Sequence, residues 1–173
     1  MDAIYWHPGF SWQVRRIDVL KPIRYEAMTF NYVKCYPTSF GKPYVIGGCG
    51  DSGRRNAERT QQRTTFLRDV AYVLHAELVA HDPSLDVSKH VGRFCKLARK
   101  GKSYRLPYLG LKICPARYAL LERGDEGPQP LSESADLGMM MLMRNYDDPK
   151  FPTFNFRAMM VNGTIQVPEV SLA

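Results

Sequence analysis

Lys89 and His90 stand side by side where the sequence predicts the start of a helix. Apolar residues recur every three or four positions from Val87 to Ala98, which predicts an amphipathic helix. The free N–H groups and positive dipole end of a helix N-terminus attract phosphate and disfavour an imidazolium. A neutral His90 can then accept a proton, while Lys89 can hold the charge that builds on a phosphorane. An ordinary solvated first turn is the alternative.

A second candidate is a cluster of arginines opposed by only two nearby acidic residues, Glu58 and Asp69. The cluster consists of Arg54, Arg55, Arg59, Arg63 and Arg68. The planar guanidinium fork matches phosphate oxygens, and the intervening Thr, Gln and Asn side chains add neutral donors. The cluster therefore predicts a loop that binds a phosphate backbone. The alternative is a solvated surface loop.

The composition favours a polyanionic partner. The 173 residues carry a formal net charge of +7 and a pI near 9.3, which favours nucleic acid over a membrane surface. No apolar run approaches the roughly 20 residues that span a bilayer, and no signal peptide is recognised, so we expect a soluble protein in the cytoplasm. The four cysteines lack zinc spacing, so we expect free thiols and neither a metal nor a cofactor.

The secondary structure that must position these residues consists of strands before and after the predicted helix. Residues 11–20 predict a strand whose alternation switches at Arg15-Arg16, as at a β-bulge. Residues 65–80 predict one long half-buried strand, after a connection over about 34–63. We expect Asp86 or Ser88 to cap the helix and Gly101 to end it.

The second half of the chain predicts further strands. One is expected from Tyr108 to Cys114, and residues 124–135 have linker composition. Asn162-Gly163 between the apolar runs 154–161 and 164–167 is typical of a β-hairpin. The run from Met139 to Met143 favours core packing over a plastic binding surface.

Two further patterns each allow two interpretations. Gly48 to Gly53 match the dinucleotide fingerprint, but the nine residues that follow offer only Ala57 to bury on a sheet, so a flexible loop tip is favoured. Tyr5-Trp6 near the N-terminus favours core packing over stacking on bases.

An ordered set of short segments resembles the Cas5d family, the CRISPR-associated pre-crRNA endoribonucleases of type I-C systems within the repeat-associated RNA-binding superfamily. The likeness runs along nearly the whole chain, and the ordered set is more specific than any one motif. The segments are residues 3–8 (Ala-Ile-Tyr-Trp-His-Pro), 21–24, 61–63, 67–73, 89–90, 107–110, 136–138, 156–158 and 162–163.

The resemblance implies an α+β fold: a ferredoxin-like (RRM-like) domain over residues 1–123 and a small antiparallel β-sheet domain over 124–173. It implies metal-independent cleavage of precursor CRISPR RNA at the base of the repeat hairpin. The family's catalytic residues map onto Tyr5, Lys89 and His90. His90 would be the general base or acid, Lys89 would stabilise the phosphorane, and Tyr5 would position or activate the RNA 2′-OH.

The resemblance also implies partners. The mature crRNA would be held by its 5′ handle in a surveillance complex with the other type I-C subunits. Lys100 and Lys102 join the five arginines as predicted RNA contacts.

The sequence departs from the family at its start, because family members have a strand and most of a helix ahead of the segment at Tyr5. We therefore expect a ferredoxin-like domain that lacks these elements, with free strand edges that favour self-association into a homo-oligomer. Two other functions stay open: a non-catalytic subunit that holds the crRNA handle, and a general nucleic-acid binder that also takes DNA.

Overall fold

A computed structural model describes residues 1–33, 59–122, 124–144, 150 and 152–169. The glycine-rich stretch from Gly48 to Gly53 lies outside these residues. The chain divides into two compact units, one formed by Met1–Lys21 with Ala71–Ala173 and one formed by Pro22–Val70.

The described residues form one helix and seven strands, which confirms an α+β protein dominated by antiparallel sheet. In chain order they are β1 (Phe10–Val19), β2 (Tyr25–Val33), β3 (Arg59–Leu67), β4 (Tyr72–Ala80), α1 (Val87–Arg99), β5 (Ala135–Arg144), β6 (Thr153–Val161) and β7 (Thr164–Gln166). The first unit holds a five-stranded sheet in the order β4-β1-β7-β6-β5, and every pairing in it is antiparallel. Strands from both sides of residue 123 belong to this sheet. The domain boundary after residue 123 stays a prediction.

Strand β1 carries the irregularity that its sequence predicts. Its register against β4 shifts between Val14 and Arg16, where the apolar alternation changes parity. The extra residue on β1 lets Trp12 and Ile17 follow different parities along one strand. The predicted bulge is therefore confirmed.

A carboxylate group ties together the three strands on this side of the sheet. Asp18 in β1 is only 4% exposed. It accepts two hydrogen bonds of 2.7 Å from Arg16, one of 2.8 Å from His75 Nε2 in β4, and one of 2.9 Å from Thr164 in β7. The Arg16 hydrogen bonds, opposed by burial and aided by His75 and Thr164, lower the pKa of Asp18 to about 2.

The predicted long strand over residues 65–80 is wrong in its first part. Strand β3 ends at Leu67 and β4 begins at Tyr72, with Asp69 between them at a φ of 52°. The short Asp side chain tolerates this left-handed conformation, which lets the chain leave β3. The alternation of apolar residues persisted through the turn and hid it.

Helix α1 begins and ends as predicted. The Asp86 carboxylate accepts a hydrogen bond from the Lys89 N–H and caps the helix. Gly101 has a φ of 60°. The N–H groups of Gly101 and Lys102 bond back to the carbonyls of Ala98 and Leu97, both at 3.0 Å. This pattern is a Schellman motif, which needs a residue that accepts positive φ. Within the described part of the chain, no helix is long and apolar enough to cross a membrane.

The β6–β7 hairpin is confirmed, and it lies at the core. Asn162 and Gly163 adopt φ values of 48° and 71°, as a two-residue turn of this type requires. The buried residues Val19, Ala158, Met160 and Ile165 form the hydrophobic cluster beside it.

Two predictions in the second half of the chain are wrong. Residues 108–114 form turns with an isolated bridge from Tyr108 to Pro115, because Gly110 takes a φ of 73° and interrupts any strand. Met139 and Met141 in β5 are 69% and 64% exposed, because β5 lies at the edge of the sheet with little packed on it. Residues 124–134 form no helix or strand before β5 begins at Ala135, and Leu131 among them bonds to Val19 and packs on the core.

The second unit contains a two-stranded antiparallel ribbon of β2 and β3, paired from Tyr25–Leu67 to Val33–Arg59. The sequence analysis assigned residues 59–63 to a connection, but they lie in β3. The polar residues of β3 lie opposite residues of β2 in this backbone pairing. Phe30 and Phe66 meet edge to face on one side of it, with ring centroids 5.6 Å apart.

Candidate active site

Tyr5 and His90 meet through their side chains. Tyr5 ends a tight turn in which the N–H groups of Ile4 and Tyr5 bond to the Met1 carbonyl. His90 lies in the first turn of α1, where its N–H bonds to the Asp86 carbonyl. The Tyr5 hydroxyl lies 2.8 Å from His90 Nδ1. Two of the three predicted catalytic residues are therefore in direct contact.

This hydrogen bond leaves the other ring nitrogen of His90 available for chemistry. If the Tyr5 hydroxyl donates to Nδ1, a neutral His90 carries its proton on Nε2 and is only a hydrogen-bond donor there; an imidazolium, which donates from Nδ1 to the Tyr5 oxygen, can act as an acid at Nε2. If Nδ1 carries the proton and donates to the Tyr5 oxygen, Nε2 has a free lone pair and can act as a base. One geometry thus serves either role.

Aromatic rings pack around His90 and fix its orientation. The His7 ring centroid lies 4.6 Å from that of His90, and the Phe10 centroid lies 5.4 Å from it. His7 is itself fixed, because its Nδ1 accepts a 3.0 Å hydrogen bond from the Gly9 N–H. The sequence analysis did not select His7, although it stands two residues after Tyr5 in the resembling segment.

A positive charge lies over the Tyr5 ring. The Arg93 guanidinium carbon is 5.5 Å from the ring centroid, within the range of a cation–π contact. Arg93 follows His90 by three positions, so both project from one face of α1. The sequence analysis missed Arg93 as well, and the spacing to His90 was the available signal.

The backbone at Tyr5 is held by a second layer. Trp12 Nε1 donates to the Tyr5 carbonyl at 3.4 Å, and the Trp12 ring packs against Phe94 of α1 at 4.6 Å between centroids. Trp12 therefore links the turn that carries Tyr5 to the helix that carries His90. Trp6, by contrast, is largely exposed, so the favoured core packing is wrong for this residue.

Lys89 neighbours the pair but does not contact it through a hydrogen bond. Its backbone N–H is bound by the Asp86 carboxylate at 3.2 Å, and its side chain is exposed. Consecutive residues project about 100° apart around a helix, so Lys89 and His90 face different directions. Among the described residues, no ion pair engages the Lys89 ammonium group.

The predicted RNA-binding arginines belong to the second unit, and the structure describes part of the cluster. Arg54 and Arg55 lie outside the described residues. Arg59 begins β3, and Arg63 is exposed in the middle of β3, so a loop was the wrong prediction for these two positions. Arg68 follows β3 and forms an ion pair with Glu26 at 3.7 Å.

Lys100 and Lys102 lie at the other end of α1 from His90. Ten residues separate Lys100 from His90, which is about 15 Å along a helix axis. Both side chains are exposed, and their backbone N–H groups complete the C-terminal cap of α1. The structure therefore does not gather these lysines with the Tyr5–His90 pair.

Candidate metal ligands do not converge in the described residues, where no three His, Cys, Asp or Glu side chains lie together. Cys95 and Cys114 are both free thiols.

Solved structures share this fold. The fold is similar to a CRISPR-associated protein, with a TM-score of 0.68, 21% sequence identity and coverage of 97% of this chain and 75% of that chain. It is also similar to the functionally uncharacterized protein SMU1763c from Streptococcus mutans, with a TM-score of 0.66, 20% identity and the same coverage. At these identities the likeness establishes the fold alone.

Sequence comparison establishes the family. Residues 1–168 match the Cas5d profile described as CRISPR-associated protein (Cas_Cas5). The chain therefore belongs to the Cas5d family. Two similar relatives are each named CRISPR pre-crRNA endoribonuclease Cas5d. The one from Mannheimia succiniciproducens is 32% identical, with 97% of this chain and 79% of the relative covered. The one from Thermus thermophilus is 30% identical, with 91% of this chain and 63% of the relative covered.

Proposed function

We propose that this chain is an endoribonuclease that cleaves precursor CRISPR RNA. The activity is the one named for both relatives, and the family match extends over residues 1–168. The observation that carries the proposal is the Tyr5–His90 hydrogen bond. It leaves one imidazole nitrogen free for proton transfer at phosphate, and the Arg93 guanidinium carbon lies 5.5 Å from the centroid of the Tyr5 ring.

The reaction proposed is attack by an RNA 2′-OH on the adjacent phosphorus. The O2′–P bond forms, the P–O5′ bond breaks, and the products are a 2′,3′-cyclic phosphate and a free 5′-OH. His90 Nε2 accepts the proton of the 2′-OH, the departing 5′-oxygen takes a proton from water, and His90 then releases its proton to solvent, so no proton is consumed overall. DNA lacks the nucleophile and cannot follow this path.

The other residues act on charge and position. Tyr5 holds the His90 ring through Nδ1 and so directs Nε2 toward the 2′-OH. The flexible side chain of Lys89 extends from the first turn of α1 to the phosphate, where its ammonium offsets the charge that develops on the equatorial oxygens. Arg93 adds a second positive charge beside Tyr5. These residues supply acid–base and electrostatic catalysis together, so we propose that cleavage needs no metal ion.

The finer features of the family complete the proposal. The ferredoxin-like (RRM-like) domain is proposed over residues 1–123, where α1 packs on β4, and the small antiparallel β-sheet domain over residues 124–173. The substrate is the repeat hairpin, cut at its base. The mature crRNA stays bound by its 5′ handle together with the other type I-C subunits. Self-association through the β4 and β5 edges stays a prediction.

The proposal is tested with a labelled type I-C repeat hairpin incubated in EDTA with wild type or His90→Ala. We expect wild type to cut once at the hairpin base and the variant to bind but not cut. His81→Ala is the matched control, because His81 is an exposed histidine whose Nδ1 donates to the Pro8 carbonyl.

Three outcomes would change the assignment. Cleavage that needs a divalent metal, or that persists at full rate in His90→Ala, would contradict the mechanism. Tight, salt-sensitive binding without cleavage by wild type would favour a handle-binding subunit. Equal affinity for duplex DNA would favour a general nucleic-acid binder.

A further inference from the structure

Tyr104 is an exposed aromatic side chain with a cation stacked on it. Tyr104 is 77% exposed, and the Arg105 guanidinium carbon lies 5.4 Å from its ring centroid. A planar guanidinium beside a solvent-facing aromatic ring offers two flat surfaces at once. Unpaired bases stack on surfaces of this kind.

The position of this pair relative to the catalytic segment is fixed by the backbone. The Arg105 N–H donates to the Ala3 carbonyl at 3.0 Å, and Ala3 precedes Tyr5 by two residues. Successive Cα atoms are about 3.8 Å apart, so the Cα atoms of Ala3 and Tyr5 are separated by no more than about 8 Å. Tyr104 therefore lies within a short stretch of polynucleotide of the Tyr5–His90 pair.

The local charge selects the kind of partner. Residues 102–117, called here the Tyr104 segment, contain four basic residues and no acidic residue. The basic residues are Lys102, Arg105, Lys112 and Arg117. A partner that contacts this surface meets positive charge together with aromatic and aliphatic groups. That combination fits a single-stranded nucleic acid, which pairs negative phosphates with flat apolar bases.

The Tyr104 segment is folded back on itself, so its exposed residues are presented by a defined backbone. The Leu109 N–H bonds to the Cys114 carbonyl at 3.0 Å, and the Ala116 N–H bonds to the Pro107 carbonyl at 2.9 Å. The Schellman cap at Gly101 fixes where the segment leaves α1. These bonds order residues 107–116, and the bond from the Arg105 N–H to the Ala3 carbonyl holds the backbone next to Tyr104. A backbone ordered before the ligand arrives lowers the entropic cost of binding.

We propose that Tyr104 and Arg105 form a stacking platform for an unpaired nucleotide of the RNA substrate, close to the scissile phosphate. This inference rests on the proposed function for the identity of the RNA, and it adds a site that selects single-stranded over paired nucleotides beside the cut. The base stacks on the Tyr104 ring, and the Arg105 guanidinium contacts the same base or its phosphate. The positive charge of Arg105 also draws the RNA backbone toward the platform.

The platform is tested by binding, with cleavage removed from the measurement. The RNA is a repeat hairpin with unpaired flanks and a 2′-deoxy sugar at the scissile position. Affinities are measured for wild type, Tyr104→Ala and Tyr104→Phe, the last of which keeps the ring. Phe154→Ala is the matched control, because it removes a half-exposed aromatic ring from β6. Abasic nucleotides are then placed one at a time along the unpaired flanks.

We expect Tyr104→Ala to weaken binding by about tenfold, the range for loss of one stacked base. Tyr104→Phe and Phe154→Ala should stay within about twofold of wild type, since neither removes a ring on which a base stacks. At one flank position the abasic RNA should bind wild type and Tyr104→Ala equally well, because the base that stacks on Tyr104 is then missing. Duplexed flanks should remove the effect in the same way.

Two results would overturn the platform. The first is an RNA affinity of Tyr104→Ala that equals that of wild type. If this variant instead binds a type I-C protein subunit more weakly, the Tyr104 segment is a protein interface. The other is a loss of affinity that is equal for every abasic RNA. Because these RNAs cannot be cut, a wild-type protein that shows the expected pattern but fails to cleave the ribose hairpin would refute the proposed function and leave the platform intact.

Discussion

The Tyr5 hydroxyl and His90 Nδ1 lie 2.8 Å apart although 85 positions separate the two residues in the chain. The contact joins a turn near the N-terminus to the first turn of α1. It gives the pair one shared function, in which Tyr5 orients the ring and His90 transfers the proton. Residues that act as a unit lose their effect together when either one is removed.

The first prediction follows from this coupling. Tyr5→Phe should lower the single-turnover cleavage rate by about 10²-fold, a typical contribution of a positioned acid–base group. His90→Ala should lower it at least as much, and the double variant should be no slower than His90→Ala alone. The measurement is cleavage at saturating protein, with hairpin affinity within twofold of wild type as the control. Additive losses in the double variant would show that the residues act separately.

The second prediction concerns the stability of the fold at low pH and the part that the Asp18 carboxylate plays in it. Its pKa is lowered from an ordinary value of 3.8 to about 2 in the folded protein, first of all by the Arg16 hydrogen bonds. A group whose folded pKa is depressed stabilises the fold above the unfolded value, and this stabilisation is lost as the pH falls through the folded value. At 1.36 kcal/mol for each pH unit, the contribution is about 2 kcal/mol at neutral pH.

Denaturant titrations of wild type and Asp18→Asn measure this contribution. The free energy of unfolding of wild type should fall between about pH 4 and pH 2 through this group. At pH 7 the variant should be less stable by about 2 kcal/mol or more, since it also leaves Arg16 and His75 short of a partner. The difference in the free energy of unfolding between wild type and variant should narrow toward pH 2. A difference independent of pH would show that the ionisation of Asp18 does not stabilise the fold.

The third prediction compares two glycines. Gly163 has a φ of 71°, and a Cβ placed there would collide with the backbone of Leu131. Gly163→Ala should therefore cost more than about 2 kcal/mol, which is about 4 °C or more in Tm for a chain of this size.

Gly92 is the matched control in the same chain. It lies in α1 with nothing within 4 Å of a Cβ at that position, so Gly92→Ala should raise stability by about 0.5–1 kcal/mol. Thermal melts of both variants make the comparison. Equal melting temperatures would contradict the account of the hairpin and of its close contact with Leu131.

The fourth prediction concerns the arginines of the second unit. If Arg63 contacts backbone phosphates, Arg63→Ala should weaken the binding of cognate and scrambled hairpins alike. It should also reduce the slope of log affinity against log salt by about one. The same is expected of Arg54, Arg55 and Arg59. Arg157→Ala is the control, because Asp136 already pairs with Arg157. Selective loss of cognate binding would mean that Arg63 reads a base, and no loss would mean a solvated side chain.

Much of the local structure was predictable from the sequence. The cap at Asp86, the stop at Gly101 and the turn at Asn162-Gly163 each depend on a few adjacent residues whose types have specific backbone preferences. The bulge near Arg15 was visible as a change of parity. The boundaries that failed, at residues 65–71 and 108–114, are places where the chain reverses without interrupting the apolar pattern.

The candidate site was predictable in its members but not in its geometry. Tyr5, Lys89 and His90 came from the family resemblance, and helix-start chemistry independently selected Lys89 and His90. The contacts of His7 and Arg93 depend on how the N-terminal turn packs against α1, which no local pattern specifies. Exposure of Met139 and Met141 likewise depends on β5 being an edge strand, a property of the whole sheet.

The most direct test of attack by the RNA 2′-OH is to remove that hydroxyl group from the substrate. Wild type is mixed in EDTA with two hairpins that differ only in having ribose or 2′-deoxyribose on the 5′ side of the scissile phosphate. We expect the ribose hairpin to yield a 5′ fragment ending in a 2′,3′-cyclic phosphate and the 2′-deoxy hairpin to bind equally well but stay intact. Cleavage of the 2′-deoxy hairpin at a similar rate would contradict attack by the 2′-OH and, with it, the roles assigned to Tyr5 and His90.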